Sequence, residues 1–416
     1  MSIPTAEFQH IIRRRREFPS LKREYNGFPL AYFDGPGGTQ IPRQVMDSMN
    51  HYYETCNANA HGYFLTAIES DNMIQEARAV CAAILNAEGP ETISFGANMT
   101  TLTFSLSKAI GRFLKPGDEI LISQLDHEAN RGPWLNLREI GIVVQEIEMK
   151  KDGTLDYQDL KYKINKNTRM IAVGLASNAL GTVNDISEIR TISKASGIWL
   201  LVDAVHYIPH FPVDVQALDI DFLLCSAYKF YGPHVGILYA RPGLLDRLDT
   251  DRLRTQQPMA PYKIETGTLN HAAIAGVKAA IEYISTFGRG PDLRSRLVSG
   301  MKDIGTYEHE LALLLYLGLE KIQGITIYGP HINDTPRAPT ISFTVEGKAP
   351  PEVCGLLDKQ GICTWDGHFY AIRPVEVLGL YEKGGLVRVG ISLYNTAEEV
   401  SRLLDALHTI ASDSGN

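Results

Sequence analysis

Residues 219–240, DIDFLLCSAYKFYGPHVGILYA, set Lys229 between two apolar runs that each read as a strand. The runs at 221–228 and 234–241 are nearly continuous, the pattern of strands covered on both faces. Upstream the pattern repeats in GIWLLVDAV (197–205), RMIAVGLAS (169–177), IGIVVQEIEM (140–149) and PGDEILIS (116–123). TISFG (92–96) adds a strand before the helically spaced TTLTFSLSKAIGRFL (100–114). Strands alternating with helices predict an α/β fold on a mainly parallel sheet. Downstream, 268–286 and 306–322 predict long helices separated by the loop FGRGPD (287–292). The tail mixes strands TISFTV (340–345) and GLVRVGIS (385–392) with a closing amphipathic helix, AEEVSRLLDALHTI (397–410). Residues 5–18 predict a helix whose run Arg13 to Arg16 is a solvated basic face. The chain thus divides into an N-terminal helical segment (1–25), a large domain (26–290) and a smaller α+β C-terminal domain (291–416).

With 416 residues, 44% hydrophobic and 21% charged, the chain can bury a sizeable core. A net charge of −8 argues against nucleic acid or an anionic membrane as partner. No apolar run approaches the roughly 18 residues of a membrane span, and the start MSIPTAEFQHIIRRRREF has no apolar signal core. Cys56, Cys81, Cys225, Cys354 and Cys363 are odd in number and scattered, which suits a reduced cytoplasmic protein rather than a disulfide framework. No Walker A loop is present, and GPGGT (35–39) lacks dinucleotide-fingerprint spacing. His206 and His210 are four apart, but Pro209 between them forbids a regular helical zinc pair, and no metal site is expected.

Three features carry chemistry. A lysine between buried strands loses hydration, its pKa falls, and it becomes an amine nucleophile suited to Schiff-base formation with a carbonyl cofactor. Asp203 ends the strand GIWLLVDAV, where ligands of such sheets gather, and an aspartate there can keep a pyridinium nitrogen protonated. In FGANMTT (95–101) a strand hands over to a helix through Gly96, Ala97 and Asn98, so free N–H groups and the Thr100 hydroxyl can cradle a phosphate. Together they describe a pyridoxal-phosphate site.

At this point the sequence resembles the class V aminotransferases, and within them the cysteine desulfurase-like proteins of fold-type I. The likeness runs from YFDGPGGTQIP (32–42) and NANAH (57–61) to VRVGISLYNTAEEV (387–400). It implies a large domain with a seven-stranded, mainly parallel sheet and a small C-terminal domain. It also implies pyridoxal 5′-phosphate held by Lys229 of SAYK as a Schiff base. By the same likeness Asp203 pairs with the ring nitrogen, and His206 stands where a glutamine is usual. His127 stacks on the ring, and Asn178 lies near the ring hydroxyl. Asn98, Met99, Thr100, Ser226 and Tyr228 (the last replacing a common histidine) surround the phosphate. Thr268 in ETGTLN reaches the phosphate of a neighbouring subunit, implying a homodimer. Arg388 forks onto the substrate α-carboxylate, with His61 and Tyr370 also assigned to a small amino-acid substrate.

The resemblance fails where desulfurases keep a mobile nucleophilic cysteine. In WDGHFYAIRP (365–374), Tyr370 stands where one branch has that cysteine, and Trp365 replaces a second arginine. Cys363 falls in a strand-like stretch and Cys354 in a helical one. The reading is therefore a lyase acting by β-elimination or an aminotransferase, with Tyr370 and His368 as candidate proton carriers. The alternatives are a desulfurase with an unconventional cysteine and a non-catalytic binding homologue.

Overall fold

The computed structural model describes residues 7–194, 196–333 and 336–412. Its main sheet has seven strands: β1 (Ile93–Gly96), β2 (Glu119–Ser123), β3 (Val143–Ile147), β4 (Thr168–Gly174), β5 (Trp199–Asp203), β6 (Phe222–Ser226) and β7 (Gly236–Ala240). The order is β1-β7-β6-β5-β4-β2-β3, with β7 antiparallel to both neighbours and the other pairings parallel. The seven strands are the seven apolar runs of the sequence.

Both faces of the sheet are covered, which is why those runs are continuous. Leu200, Val202, Leu223 and Cys225 join one core cluster, and Leu201, Phe222 and Leu224 the other. The second face packs on α1 (Met99–Phe113), through Leu102, Leu106 and Ile110. The first packs on α2 (His271–Ser285) and α3 (Leu293–Leu319), through Val277, Ile281, Leu297 and Met301.

The helix expected at 306–322 instead begins at Leu293, capped by Asp292, whose carboxylate accepts from Ser295 N–H at 2.8 Å. Gly305 reads as a breaker in sequence but serves close packing. A Cβ there would lie 2.6 Å from the carbonyl oxygen of His210, so α3 can approach that backbone only through a glycine.

A second sheet holds β8 (Ile325–Tyr328), β9 (Thr340–Val345), β10 (Trp365–Gly367) and β11 (Leu386–Gly390) in the antiparallel order β8-β9-β11-β10. The chain from 31 to 34 adds to this part. Ala31–Tyr32 pairs with Ile362–Cys363, and Asp34 bridges to Gly390. The YFDGPGG segment thereby arrives beside Arg388 of β11.

Near the N-terminus, residues 5 and 6 lie outside the described residues; Gln9–Ile12 is α-helical and Arg13–Glu17 a 3-10 turn. Its basic run is not wholly solvated. Arg15 donates to the carbonyls of Tyr394 and Leu30 and pairs with Glu399 at 2.6 Å, and Arg14 lies over the rings of Tyr283 and Phe287. Arg15 ties the first turn to the C-terminal part and Arg14 to the end of α2, roles that sequence spacing alone does not reveal. Among the described residues no helix is long and apolar enough to cross a membrane.

Candidate active site

The carboxyl ends of β1, β2, β4, β5 and β6 open into one cavity of about 590 Å³. Register puts them level: Gly174 pairs with Asp203, and Asp203 with Leu224. The loops that follow supply the lining, as expected for a sheet of this kind. Asn98, Met99, Thr100, His127, Asn178, Asp203, His206, Ser226, Tyr228 and Lys229 all line this space. An adjoining cavity of about 420 Å³ shares His127, Asn178, Tyr228 and Lys229 and adds Asp34, Trp365, Tyr370 and Arg388.

Lys229 is held in the turn after β6, its Nζ donating to the carbonyls of Pro36 and, at 3.1 Å, Gly37. Burial, and then the Arg388 charge, pull its pKa down to about 7, against the opposing pull of Asp34 and Asp203. Its amine is therefore substantially neutral at physiological pH. Burial drives Asp203 the other way, up to about 7, with Asp126 adding to it and the Val205 N–H and Lys229 opposing. Asp203 Oδ1 accepts from Val205 N–H at 2.9 Å, which orients the carboxyl at the strand end.

His127 is held down to about 4 by burial and by the charges of Lys229 and Arg388, so its ring is neutral. Its Nδ1 accepts from Ala129 N–H at 3.0 Å, which leaves the proton on Nε2. At the start of α1 the Asn98 side chain serves as the helix cap, accepting from Thr101 N–H at 2.9 Å in a capping box. Met99 N–H is taken by Ser226 Oγ at 2.9 Å. Thr100 thus keeps the amide free for a ligand, and the cradle is narrower than the sequence suggests. The approach of β7 to this turn requires Gly236, where a Cβ would lie 2.4 Å from the carbonyl carbon of Asn98.

Arg388 is clamped from three sides. Nη2 donates to Asp34 Oδ1 at 2.8 Å, Nη1 to the carbonyl of Asn178 at 3.1 Å, and Cζ lies 4.4 Å from the ring centre of Phe369. Its Nε and the Oδ1 of Asn178 are buried without a protein partner among the described residues. Asn178 Nδ2 is already used by the carbonyl of Phe369 at 2.8 Å. The Tyr370 carbonyl accepts from Glu128 N–H at 2.7 Å, and its ring lies 5.7 Å from that of His127. Phe369 and Tyr370 both have positive φ, 55° and 57°, a strained conformation for two consecutive large residues.

His61 and Thr268 are not in this site. They line a separate cavity of about 450 Å³ with Arg78, Tyr262 and Glu265. None of the five cysteines lines the two cavities around Lys229. Cys81 and Cys225 are core residues, Cys354 accepts from Thr364 Oγ1 at 3.2 Å, and Cys363 pairs with Tyr32 across the short strand.

Sequence reasoning missed Asp34, Asp126 and His234. Asp126 lines the larger cavity, is bound by Gly174 N–H and Asn130 Nδ2, each at 2.8 Å, and is lifted by burial to about 6. Its position beside His127 was the available signal. His234 lines both cavities and stacks on Tyr228 with centroids 4.5 Å apart and planes 9° from parallel. An imidazole is thus present beside Tyr228, brought from six residues further on.

The profile of the family described as Aminotransferase class-V matches residues 31–403. The chain is 34% identical to a cysteine desulfurase of Serratia proteamaculans, over 96% of this chain and 98% of that protein. It is 34% identical, with the same coverage, to a cysteine desulfurase of Yersinia pseudotuberculosis. Its structure is similar to that of a cysteine desulfurase of Thermococcus onnurineus, with a TM-score of 0.88 and 28% identity over 99% of both chains. It also resembles an Escherichia coli cysteine desulfurase, with a TM-score of 0.84 and 26% identity over 99% of both. A match of this extent, on a fold whose strand ends meet at Lys229 and Asp203, makes the chain an enzyme of the class-V aminotransferase family, whose members use pyridoxal phosphate.

Proposed function

We propose that the chain binds pyridoxal 5′-phosphate at Lys229 and acts on a small amino acid, expelling a thiol from Cβ of a cysteine-like substrate by elimination. The donor set suits that group. The Thr100 amide offers a phosphate donor at a helix start, Asp203 an acid for a ring nitrogen, and the orphaned Oδ1 of Asn178 an acceptor. Bound there, the pyridine ring supplies a sink for the electron pair left at Cα.

The protein's own groups do the rest. Lys229, with its pKa near 7, takes the Cα proton and returns protons at neutral pH. Asp203, faced by a cationic nitrogen, is held ionised and keeps that nitrogen charged. His127, neutral, packs a ring against the site and offers its Nε2–H. Arg388, on the cavity wall, offers its guanidinium charge to the substrate carboxylate, with Asp34 and the Asn178 carbonyl fixing its plane. Loss of the Cα proton and of the thiolate from Cβ, followed by water, gives pyruvate, ammonia and sulfide. Thr268 and His61, which do not line the cavities around Lys229 of their own chain, complete the site of a second copy in a homodimer.

The observation that carries elimination is the loop 367–371, where Tyr370 rather than a thiol borders the cavity and every cysteine lies elsewhere. The names of the relatives favour a second reading, transfer of sulfur to an enzyme thiol. The organic product from L-cysteine separates the two. Pyruvate supports elimination. Alanine, with a sulfur mass gain on Cys363 or Cys354 by intact mass, would overturn it. Mercaptopyruvate would instead mark transamination.

A further inference from the structure

L-Cysteine would fill little of the space on the substrate side of Lys229. That space is the adjoining cavity of about 420 Å³, within the roughly 300–1,000 Å³ that holds a whole drug-sized ligand. Cysteine adds only a methylene and a thiol to the common amino-acid frame. Its fit leaves open what the rest of the cavity holds.

Strand register builds one wall. Trp365 of β10 pairs with Arg388 of β11, and opposed residues of an antiparallel pair project from the same face. Because β10 is the edge of its sheet, the indole stands on the outer side of the guanidinium, and both line the cavity. A second aromatic wall is Tyr370. Its φ of 57° and the bond from Glu128 N–H to its carbonyl, at 2.7 Å, fix its backbone at the cavity. Trp365 is 51% exposed and Tyr370 65%, whereas Phe369 beside them is buried. Two large aromatic side chains are thus left wet at the mouth of a site, where an apolar ligand group would cover them. Tyr32 and Ile41 add to the lining, and the Tyr32 hydroxyl is already spent on the Gly38 carbonyl at 2.9 Å.

Charge narrows the choice further. Lys229 and Arg388 are the only lysine and arginine on this lining. The first serves the Cα proton, and the second, with Asp34 on it, the α-carboxylate. A substrate with another carboxylate on its side chain would lose hydration there with no lysine or arginine left to pair it.

We propose, on the basis of the elimination reading above, that the substrate is a cysteine whose sulfur carries a neutral apolar group, best an aryl group, selected by Trp365 and Tyr370. The Cα–H and Cβ–S bonds break, and the sulfur leaves with its electron pair and gains a proton. Water then releases the nitrogen, so that R–S–CH2–CH(NH3+)–COO− and water give R–SH, pyruvate and ammonium, with no net oxidation.

The test compares S-phenyl-L-cysteine with S-(p-carboxyphenyl)-L-cysteine in the enzyme loaded with pyridoxal phosphate. Both expel an aryl thiolate, so a difference reports the pocket rather than the leaving group. The neutral conjugate should lead in kcat/KM by about tenfold. Trp365→Arg should bring the two level or reverse them. Trp365→Ala should raise KM for S-phenyl-L-cysteine about tenfold, and KM for L-cysteine far less. No preference for the neutral conjugate, or the same preference in Trp365→Arg, overturns the proposal. Binding is read separately from the change in Trp365 emission, with Trp365→Phe as the blank, whether or not pyruvate forms. Pyruvate from L-cysteine with no gain for S-phenyl-L-cysteine overturns this proposal and leaves elimination standing. Tighter binding of the neutral conjugate with no pyruvate from any substrate fails the elimination reading and keeps the pocket.

Discussion

Asp203 sits at a strand end where an ionised carboxyl has one N–H donor and little water, and burial lifts its pKa to about 7. The folded chain therefore holds a proton there that the unfolded chain releases near 4. The penalty for ionising it is absent below the unfolded pKa, grows as pH rises from about 4 to 7, and is complete above. Asp203→Asn keeps the acceptor for Val205 N–H and removes the penalty. Without cofactor, it is expected to be more stable than the parent by about 4 kcal/mol above pH 7, with the gain vanishing towards pH 4. Denaturant unfolding at several pH values checks this, and a gain independent of pH would place the strain elsewhere. Lys229 and Asp203 are legible in the sequence for the same reason that they are costly: each breaks an apolar run. Asp34 is not, because its partner Arg388 lies 354 residues away. His234 is hidden too, since its stacking on Tyr228 depends on how the chain turns between β6 and β7.

Strands were easier to read than the elements between them. A doubly covered strand writes its burial into every residue, so all seven runs of the main sheet are visible. The start of α3 is not, because Gly300 and Gly305 resemble breakers until the surfaces they pack against are known. Nor is the loop after β10, whose shape comes from distant partners: Asn178 holds the Phe369 carbonyl, and Glu128 N–H the Tyr370 carbonyl. Phe369 is the anchor of that loop, buried, with its ring under Arg388. Phe369→Ala is expected to cost about 3 kcal/mol of stability by opening a cavity. It also frees the guanidinium from one of its three restraints, so KM for the amino acid should rise about tenfold. A thermal shift with KM unchanged would limit the ring to packing.

For the whole molecule, the placement of His61 and Thr268 decides the most. Both were read from motifs as site residues, yet both line a cavity apart from Lys229 of the same chain. The sequence can name such residues but cannot say which copy they serve, since one chain's spacing carries nothing about a second. Beside His61, Tyr63, Phe64, Leu65 and Ile68 project large apolar side chains into solvent, a cost that a self-association surface would remove. The homodimer with shared sites proposed above accounts for both observations, and mixing tests it. Lys229→Ala disables each site through its own chain, and a His61→Ala, Thr268→Ala double variant disables each through its neighbour. Homodimers of either kind have two defective sites. A mixed dimer has one site with both defects and one with none. After random subunit exchange at equal amounts, about a quarter of all sites are intact, and activity should recover to that level from two nearly inactive proteins. Recovery that needs time for exchange, and that disappears when the dimers are crosslinked beforehand, identifies subunit sharing as its cause. Activity no greater than the sum of the two parents, with exchange verified by mass, would return His61 and Thr268 to the chain that carries them.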